Sequence, residues 1–304
     1  MIKNGFVIEP YPELLPDYKI CPFSEKDIFT NRALPKSDFA DDYFNTRFTN
    51  KKILYTLNGR EAIYIALKHY KLKKNDCVTI FTTTGNFYIS NCVTKEIEKV
   101  CKWSRQIETN TKVILVNHEF GQPFEELHSL YKYNLPIIED CAHSFFSTDI
   151  ENRIGEVGDF VIFSFPKAFP IQFGGLLVSK KEIQFTSELD ILSKNYLNNT
   201  ISHYIPQIKE IKTKRVQNHQ LAEEYFVEIG CGVRFNVNEK KIPGVFMLIN
   251  DEIDLPKLKE YYYKHGVQCS VFYGENTFFL PIHQNINQTD IEYFIEILKS
   301  FNVV

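Results

Sequence analysis

Four apolar runs, Val78–Thr83, Lys112–Asn117, Pro136–Asp140 and Phe160–Phe165, recur along the first part of the chain, with helix-like stretches between the first three. A strand that shows water one face alternates apolar with polar residues, and Phe160–Phe165 shows no such alternation. Both of its faces are therefore expected to be covered. Strands of this kind separated by helices predict a mostly parallel sheet with helices on both faces. In such sheets ligands bind beyond the carboxyl ends of the strands. Asp140, Ser164 and Lys167 all fall at or just past the end of an apolar run.

Lys167 lies between Pro166 and Pro170 in a bend rich in phenylalanine, and Gly174-Gly175 then lets the backbone turn into a second apolar run, Leu176–Val178. A lysine in this bend either snorkels to water or sits at the edge of a dry layer. In the second case desolvation lowers its pKa and makes it a nucleophile for carbonyl chemistry. Upstream, Ile53–Leu57 reads as a strand and Asn58-Gly59-Arg60 as the start of a helix reaching Tyr70, with Asn58 a good N-cap. A strand, a tight turn and a helix start aim free amides and a positive dipole end at one point, which suits a phosphate. Most capped helices, however, bind nothing.

The 304 residues give ample core for one large domain or two moderate ones. The net charge of −3, with no basic stripe, gives no case for nucleic acid or an anionic membrane surface. Seven cysteines without CxxC spacing or paired histidines read as buried thiols of a cytoplasmic protein and point to no metal site. Met1–Glu9 has no apolar run long enough for a signal peptide, and no stretch is long enough to span a membrane.

Residues 1 to about 50 lack a sustained period and read as an arm. After Ser179 the chain turns polar and helical to about residue 230. A smaller α+β pattern follows: strands at Val245–Asn250 and Val267–Phe272, a helix at Leu255–His265, and a last helix at Ile291–Phe301 capped by Thr289-Asp290. The expected division is 1–184, arm and large α/β domain, and 185–304, small α+β domain.

Lys167, Asp140 and the Asn58–Arg60 helix start could together supply a lysine, a carboxylate and a phosphate cup, the three things pyridoxal 5′-phosphate requires. At this point the sequence resembles the DegT/DnrJ/StrS-type sugar aminotransferases, pyridoxal phosphate enzymes of fold type I. Ile137–Ser144 is similar to that family's "IEDAAQ" or "EDCAH" stretch, and Gly158-Asp159, Phe163-Ser-Phe and Lys167 with Gly174-Gly175 to its "GDxxxFSFxxxK…GG" block. Asn58–Ala62 resembles the "SGTxA" turn, His118–Gly121 "HxYG", and Phe279–His283 the closing "LPIH" segment. The resemblance implies that Lys167 binds the cofactor aldehyde and Asp140 the pyridine nitrogen. It places His143 beside the ring, Ser164 with Asn58, Gly59 and Arg60 at the phosphate, and Phe87 over the ring.

It further implies transfer of an amino group from glutamate to a nucleotide-linked keto-sugar, in polysaccharide or amino-sugar biosynthesis, by a homodimer. The chain departs from the family in two places. It is shorter between about 185 and 230, where the "GYNYRM" motif that reaches the partner's phosphate is missing, and Ser164 precedes Lys167 by three residues instead of five. The alternatives are a degenerate member that binds cofactor or sugar nucleotide without turnover, and a sugar dehydratase. Dehydrating relatives carry histidine at the lysine position, so Lys167 speaks against the latter.

Overall fold

The computed structural model describes residues 16–149, 151 and 154–301. The expectation about a signal peptide at Met1–Glu9 lies outside them. By internal contacts the chain divides into two units, Phe23–Ile208 and a second formed by the chain up to Pro22 together with Lys209 onward. This differs from a division at 184/185. The helix Ile191–Tyr204 belongs to the first unit because its polar side chains are tied there: Asn198 Nδ2 donates to Asp41 Oδ2 and to the Ser37 carbonyl, both at 3.2 Å, and Ser202 Oγ accepts from the Ala40 amide at 2.9 Å.

The first unit runs α1 (Glu25–Arg32), α2 (Phe39–Arg47), β1 (Lys52–Thr56), α3 (Gly59–His69), β2 (Cys77–Thr82), α4 (Asn91–Glu98), β3 (Lys102–Ser104), β4 (Thr111–Asn117), β5 (Ile137–Asp140), β6 (Phe160–Ser164), a single turn α5 (Phe165–Ala168), β7 (Gly175–Ser179) and α6 (Ile191–Tyr204). Its strands lie in the order β1-β7-β6-β5-β4-β2-β3. β2 to β6 pair in parallel, while β7 runs antiparallel to both neighbours. The short link between β6 and β7 allows only a reversal, since a parallel return needs a long crossover.

One face of the sheet packs on α3 and α4 through Val78, Ile80, Val113, Leu115, Ile138, Phe160, Ile162 and Leu177. The other packs Ile114, Val116 and Ile137 on Leu127, Leu130 and Val157, and seats the Phe163 ring 5.7 Å from Phe48 and 5.4 Å from Phe145. Phe160–Phe163 are fully buried, as their lack of alternation predicts. The stretch before residue 50, expected as an arm without a sustained period, carries α1 and α2 from Glu25 onward. α1 escapes a periodicity argument because the residues it buries are polar, Asp27 and Asn31. Asp27 caps the helix from Ser24 (2.7 Å), and Asn31 donates to the Pro170 carbonyl (2.8 Å).

The second unit contains α7 (Ile208–Glu228), β8 (Gly232–Val233), β9 (Phe246–Ile249), α8 (Leu255–Lys264), β10 (Ser270–Phe272), β11 (Thr277–Leu280) and α9 (Gln288–Phe301). Its antiparallel sheet, in the order β10-β11-β9-β8, shares one core with these helices. The last helix begins earlier than expected. Asn287 and Asp290 exchange amide-to-side-chain bonds (2.9 and 3.2 Å), so Thr289 and Asp290 lie inside its first turn. All seven cysteines are free thiols; five are buried, Cys21 is half-buried and Cys92 exposed.

One carboxylate ties the centre of the large sheet to its loops. Glu139, fully buried in β5, accepts from the amides of Val157 (3.0 Å) and Gly158 through Oε1 and of Gly155 (2.9 Å) through Oε2. Its Oε2 also meets His118 Nε2 at 3.2 Å. The Phe124 amide donates to His118 Nδ1 (3.0 Å), which leaves the imidazole proton on Nε2, facing the carboxylate. Cys141 brings a third metal-type ligand atom within 4.8 Å of these two, but the Glu139 oxygens are already engaged by main-chain donors, so the cluster works as a clamp.

Replacing Glu139 by Gln trades an acceptor for a donor opposite buried amides and is expected to cost about 2–4 kcal/mol in urea unfolding. Gly175→Ala is expected to cost about 1–3 kcal/mol in the same measurement. Its Cβ would lie 2.7 Å from Thr56 Oγ1, 2.8 Å from the Asn58 carbonyl carbon and 2.9 Å from the Phe163 oxygen, two of them backbone atoms with little room to retreat.

Candidate active site at the carboxyl end of the sheet

Side chains alternate along a strand, so residues two apart share a face. Ile80, Leu115, Ile138 and Ile162 all point into the layer under α3 and α4. The next residue on that face is polar in each case: Thr82, Asn117, Asp140 and Ser164. The strands pair in register, Thr82 with Asn117 and Asn117 with Asp140, while Asp140 pairs with Ile162, two residues before Ser164. Across β6, Ser164 pairs with Gly175, and Gly175 with Thr56 of β1. One polar row therefore crosses the sheet at the end where ligands bind in this class of fold.

α3 begins on the same side of that row. A Cβ at Gly59 would stand 3.5 Å from the Ser164 Cβ and 3.8 Å from Ile162. Asn58 caps the helix by accepting from the Glu61 amide at 3.0 Å, and Glu61 reaches back to the Leu57 amide at 2.5 Å. The Asn58 side chain is thus committed to the turn. The amides of Gly59 and Arg60 and the hydroxyl of Ser164 make no hydrogen bond among the described residues. Arg60 is exposed in the first turn.

Asp140 is 2 % exposed. Its Oδ2 accepts from Asn117 Nδ2 at 2.8 Å and its Oδ1 from the Ala142 amide at 3.0 Å. Burial pushes its pKa above the usual carboxylate value, opposed by those two donors and by His118. His143 follows in the turn after β5, half-buried, with its ring 5.1 Å from that of Phe120. Phe120 holds φ 50° and ψ 31°, a left-handed conformation unusual for an aromatic residue.

Lys167 occupies the one-turn helix directly after Ser164, in a strand next to that of Asp140, and is half-buried. Phe165 and Phe169 on either side of it are fully buried and anchor the turn. Phe165 stacks on Phe44 at 5.8 Å, and Phe169 meets Phe145 at 5.0 Å. Phe87 sits on the loop after Thr82 and is 71 % exposed. Arg105 pins that loop, donating to the Asn86 carbonyl at 2.6 Å and to Thr82 Oγ1 at 3.0 Å, while Glu119 Oε2 accepts from the Thr84 amide at 2.9 Å.

Asp140, Ser164 and the Gly59–Arg60 helix start thus share one face and one end of the sheet. Lys167 and His143 follow directly on the strands that carry Ser164 and Asp140. Asn117, Thr56 and Arg105 complete the arrangement together with Gly175; the sequence reading had Gly175 only as half of a turn-forming pair and missed the other three. Asn117 had left a signal, a polar residue closing the apolar run Val113–Val116. A groove of about 690 Å³ lined by Lys52–Tyr55 and parts of 182–194 opens along the free edge of β1 and contains none of the row.

Residues 37–194 match the DegT/DnrJ/EryC1/StrS aminotransferase family. Over 148 residues, 41% of this chain, the sequence is 28% identical to a dTDP-3-amino-3,6-dideoxy-alpha-D-galactopyranose transaminase of Aneurinibacillus thermoaerophilus. That match spans 40% of the length of the curated relative. The fold is shared with an aminotransferase, TlmJ, from Streptoalloteichus hindustanus (TM-score 0.72, 13% identity, 94% of this chain and 99% of that one). It is shared also with the PLP form of a putative sugar aminotransferase, Spr1654, from Streptococcus pneumoniae (TM-score 0.71, 14% identity, 96% and 100%). With the family match covering more than half of its length, the chain belongs to the DegT/DnrJ/EryC1/StrS aminotransferase family.

Proposed function

We propose that this protein is a pyridoxal phosphate-dependent aminotransferase that moves an amino group from glutamate to a keto-sugar carried on a nucleotide, working as a homodimer. The observation that carries the reading is the meeting of three unsatisfied donors (the Gly59 and Arg60 amides and the Ser164 hydroxyl) on the sheet face that also presents Asp140. A phosphate fits such a cup: the helix start supplies main-chain donors and a positive dipole end, and glycine at 59 leaves room beside Ser164. The curated relative is named as a transaminase of a dTDP-linked amino sugar, and the Spr1654 structure contains PLP. Both support the same chemistry.

In this reading Ser164, Gly59 and Arg60 would hold the phosphate, and Lys167 Nζ would be the amine that binds the cofactor's aldehyde. When bound, pyridoxal phosphate supplies an electron-withdrawing ring that takes up the electron pair released at the substrate carbon. Asp140 would accept a hydrogen bond from the ring nitrogen and favour its protonated form. With pyridoxal phosphate bound, Lys167 Nζ would take the proton from the amine-bearing carbon of the donor and deliver it to the carbon of the former aldehyde, which requires a neutral amine at working pH. His143, whose ring lies 5.1 Å from that of Phe120, would flank the ring, and Phe87 would cover it. Among the described residues no helix is long and apolar enough to cross a membrane.

Purified protein mixed with pyridoxal phosphate should develop an absorbance band at the visible edge that borohydride fixes covalently onto Lys167. Lys167→Ala should lose both band and adduct. Glutamate should bleach the band; if no amino donor does, the protein is a binder without transfer. Ser164→Ala should weaken cofactor binding about tenfold, the worth of one charged hydrogen bond, as read by fluorescence titration.

A further inference from the structure

Asn117 interrupts the apolar pattern of its strand. On its face of β4 the preceding residues are Val113 and Leu115, both fully buried, and a leucine at 117 would continue the same packing. What an amide adds there is a donor. Asn117 Nδ2 lies 2.8 Å from Asp140 Oδ2, and the amide orientation follows from its partner, because a carboxylate accepts and does not donate. The Asn117 backbone is locked between Thr82 on one side and Asp140 on the other, with its carbonyl accepting from the Thr83 amide at 3.3 Å. The donor therefore cannot drift. With the Ala142 amide at 3.0 Å on Oδ1, each carboxylate oxygen has one fixed protein partner. The plane of the group is set, and each oxygen keeps a further lone pair to offer.

We propose that Asn117 is the positioning residue of Asp140: its side-chain amide fixes the carboxylate plane and holds Asp140 as an anion in a buried place, ready for a cationic ring N–H. The inference rests on the reading of Asp140 as the partner of the pyridine nitrogen. Its physical basis is nevertheless local. A carboxylate taken out of water keeps its charge only with donors to replace those lost. Burial raises the Asp140 pKa, and Asn117 is one of the two hydrogen bonds that oppose this. The titratable groups around Asp140 are His118, in the turn after β4, Glu139 beside it on β5 and Cys141 directly after the strand.

Two measurements on the full-length protein test this, with Asn117→Leu and the isosteric Asn117→Asp as variants. The first compares the affinity for pyridoxal 5′-phosphate with that for its 1-deaza analogue, which lacks the ring nitrogen. The wild type should prefer the parent compound by about tenfold or more, and both variants should narrow that gap to about threefold or less. A packing role alone would weaken both compounds equally, and a gap that persists in the two variants overturns the inference.

The second follows thermal unfolding of cofactor-free protein at pH 5 and pH 8. A carboxyl whose folded pKa lies above its unfolded one binds more protons when folded, so stability falls as pH rises between the two values. Removing the donor raises the folded value further and extends that fall upward. Asn117→Leu should therefore lose more Tm against wild type at pH 8 than at pH 5, and the difference should vanish in an Asp140→Asn background. An equal loss at both pH values overturns the inference. If the wild type shows no preference for the parent cofactor, the role assigned to Asp140 fails, while the pH comparison still decides whether Asn117 holds its charge.

Discussion

The period of two along a paired strand governs this molecule. Because β2, β4, β5 and β6 pair in register, the last core-facing positions of neighbouring strands line up, and whatever residues stand there become one surface. Thr82, Asn117, Asp140 and Ser164 stand there. A slip of one residue in any strand would turn its polar end to the opposite face and close it into the core. The apolar residues beneath, from Ile80 to Ile162, specify the register, so the forces that build the core also aim the site.

The adjacent acids of β5 show how far one residue of phase matters. Glu139 faces the loop side and serves as an internal acceptor for three amides and an imidazole, which fixes residues 155–158 and the turn after β4. Asp140 faces the α3 side, has two donors and bears a desolvation cost that a cationic partner would relieve. The first carboxylate is satisfied by the fold itself. The second keeps capacity for a ligand. Lys167 is placed in a different way: the rings of Phe165 and Phe169 pack among Phe44, Phe145 and Tyr204 and anchor the single turn of helix that carries it.

Much of this could be read from the chain before folding. The unbroken apolar runs announced strands covered on both faces. Asp140, Ser164 and Lys167 stood out as polar residues at the ends of such runs, and Asn58 as a cap. The helices before residue 50 could not be read, because α1 buries Asp27 and Asn31 and shows no apolar stripe. Nor could the place of α6: it joins the first unit through Asn198 and Ser202, polar contacts that no hydrophobic pattern reports.

Local order of residues, apolar runs, glycine turns and caps, thus sufficed for the class of fold and for nominating the polar residues at strand ends, since these depend on the chemical character of neighbours along the chain. Tertiary structure alone decided which residues share a face. That is why it separates Glu139 from Asp140, commits Asn58 to its helix, and brings Asn117 from a strand twenty-three residues earlier to within 2.8 Å of the Asp140 carboxylate. Facing is a property of paired strands, and pairing is a relation between segments distant in sequence that neither segment encodes by itself.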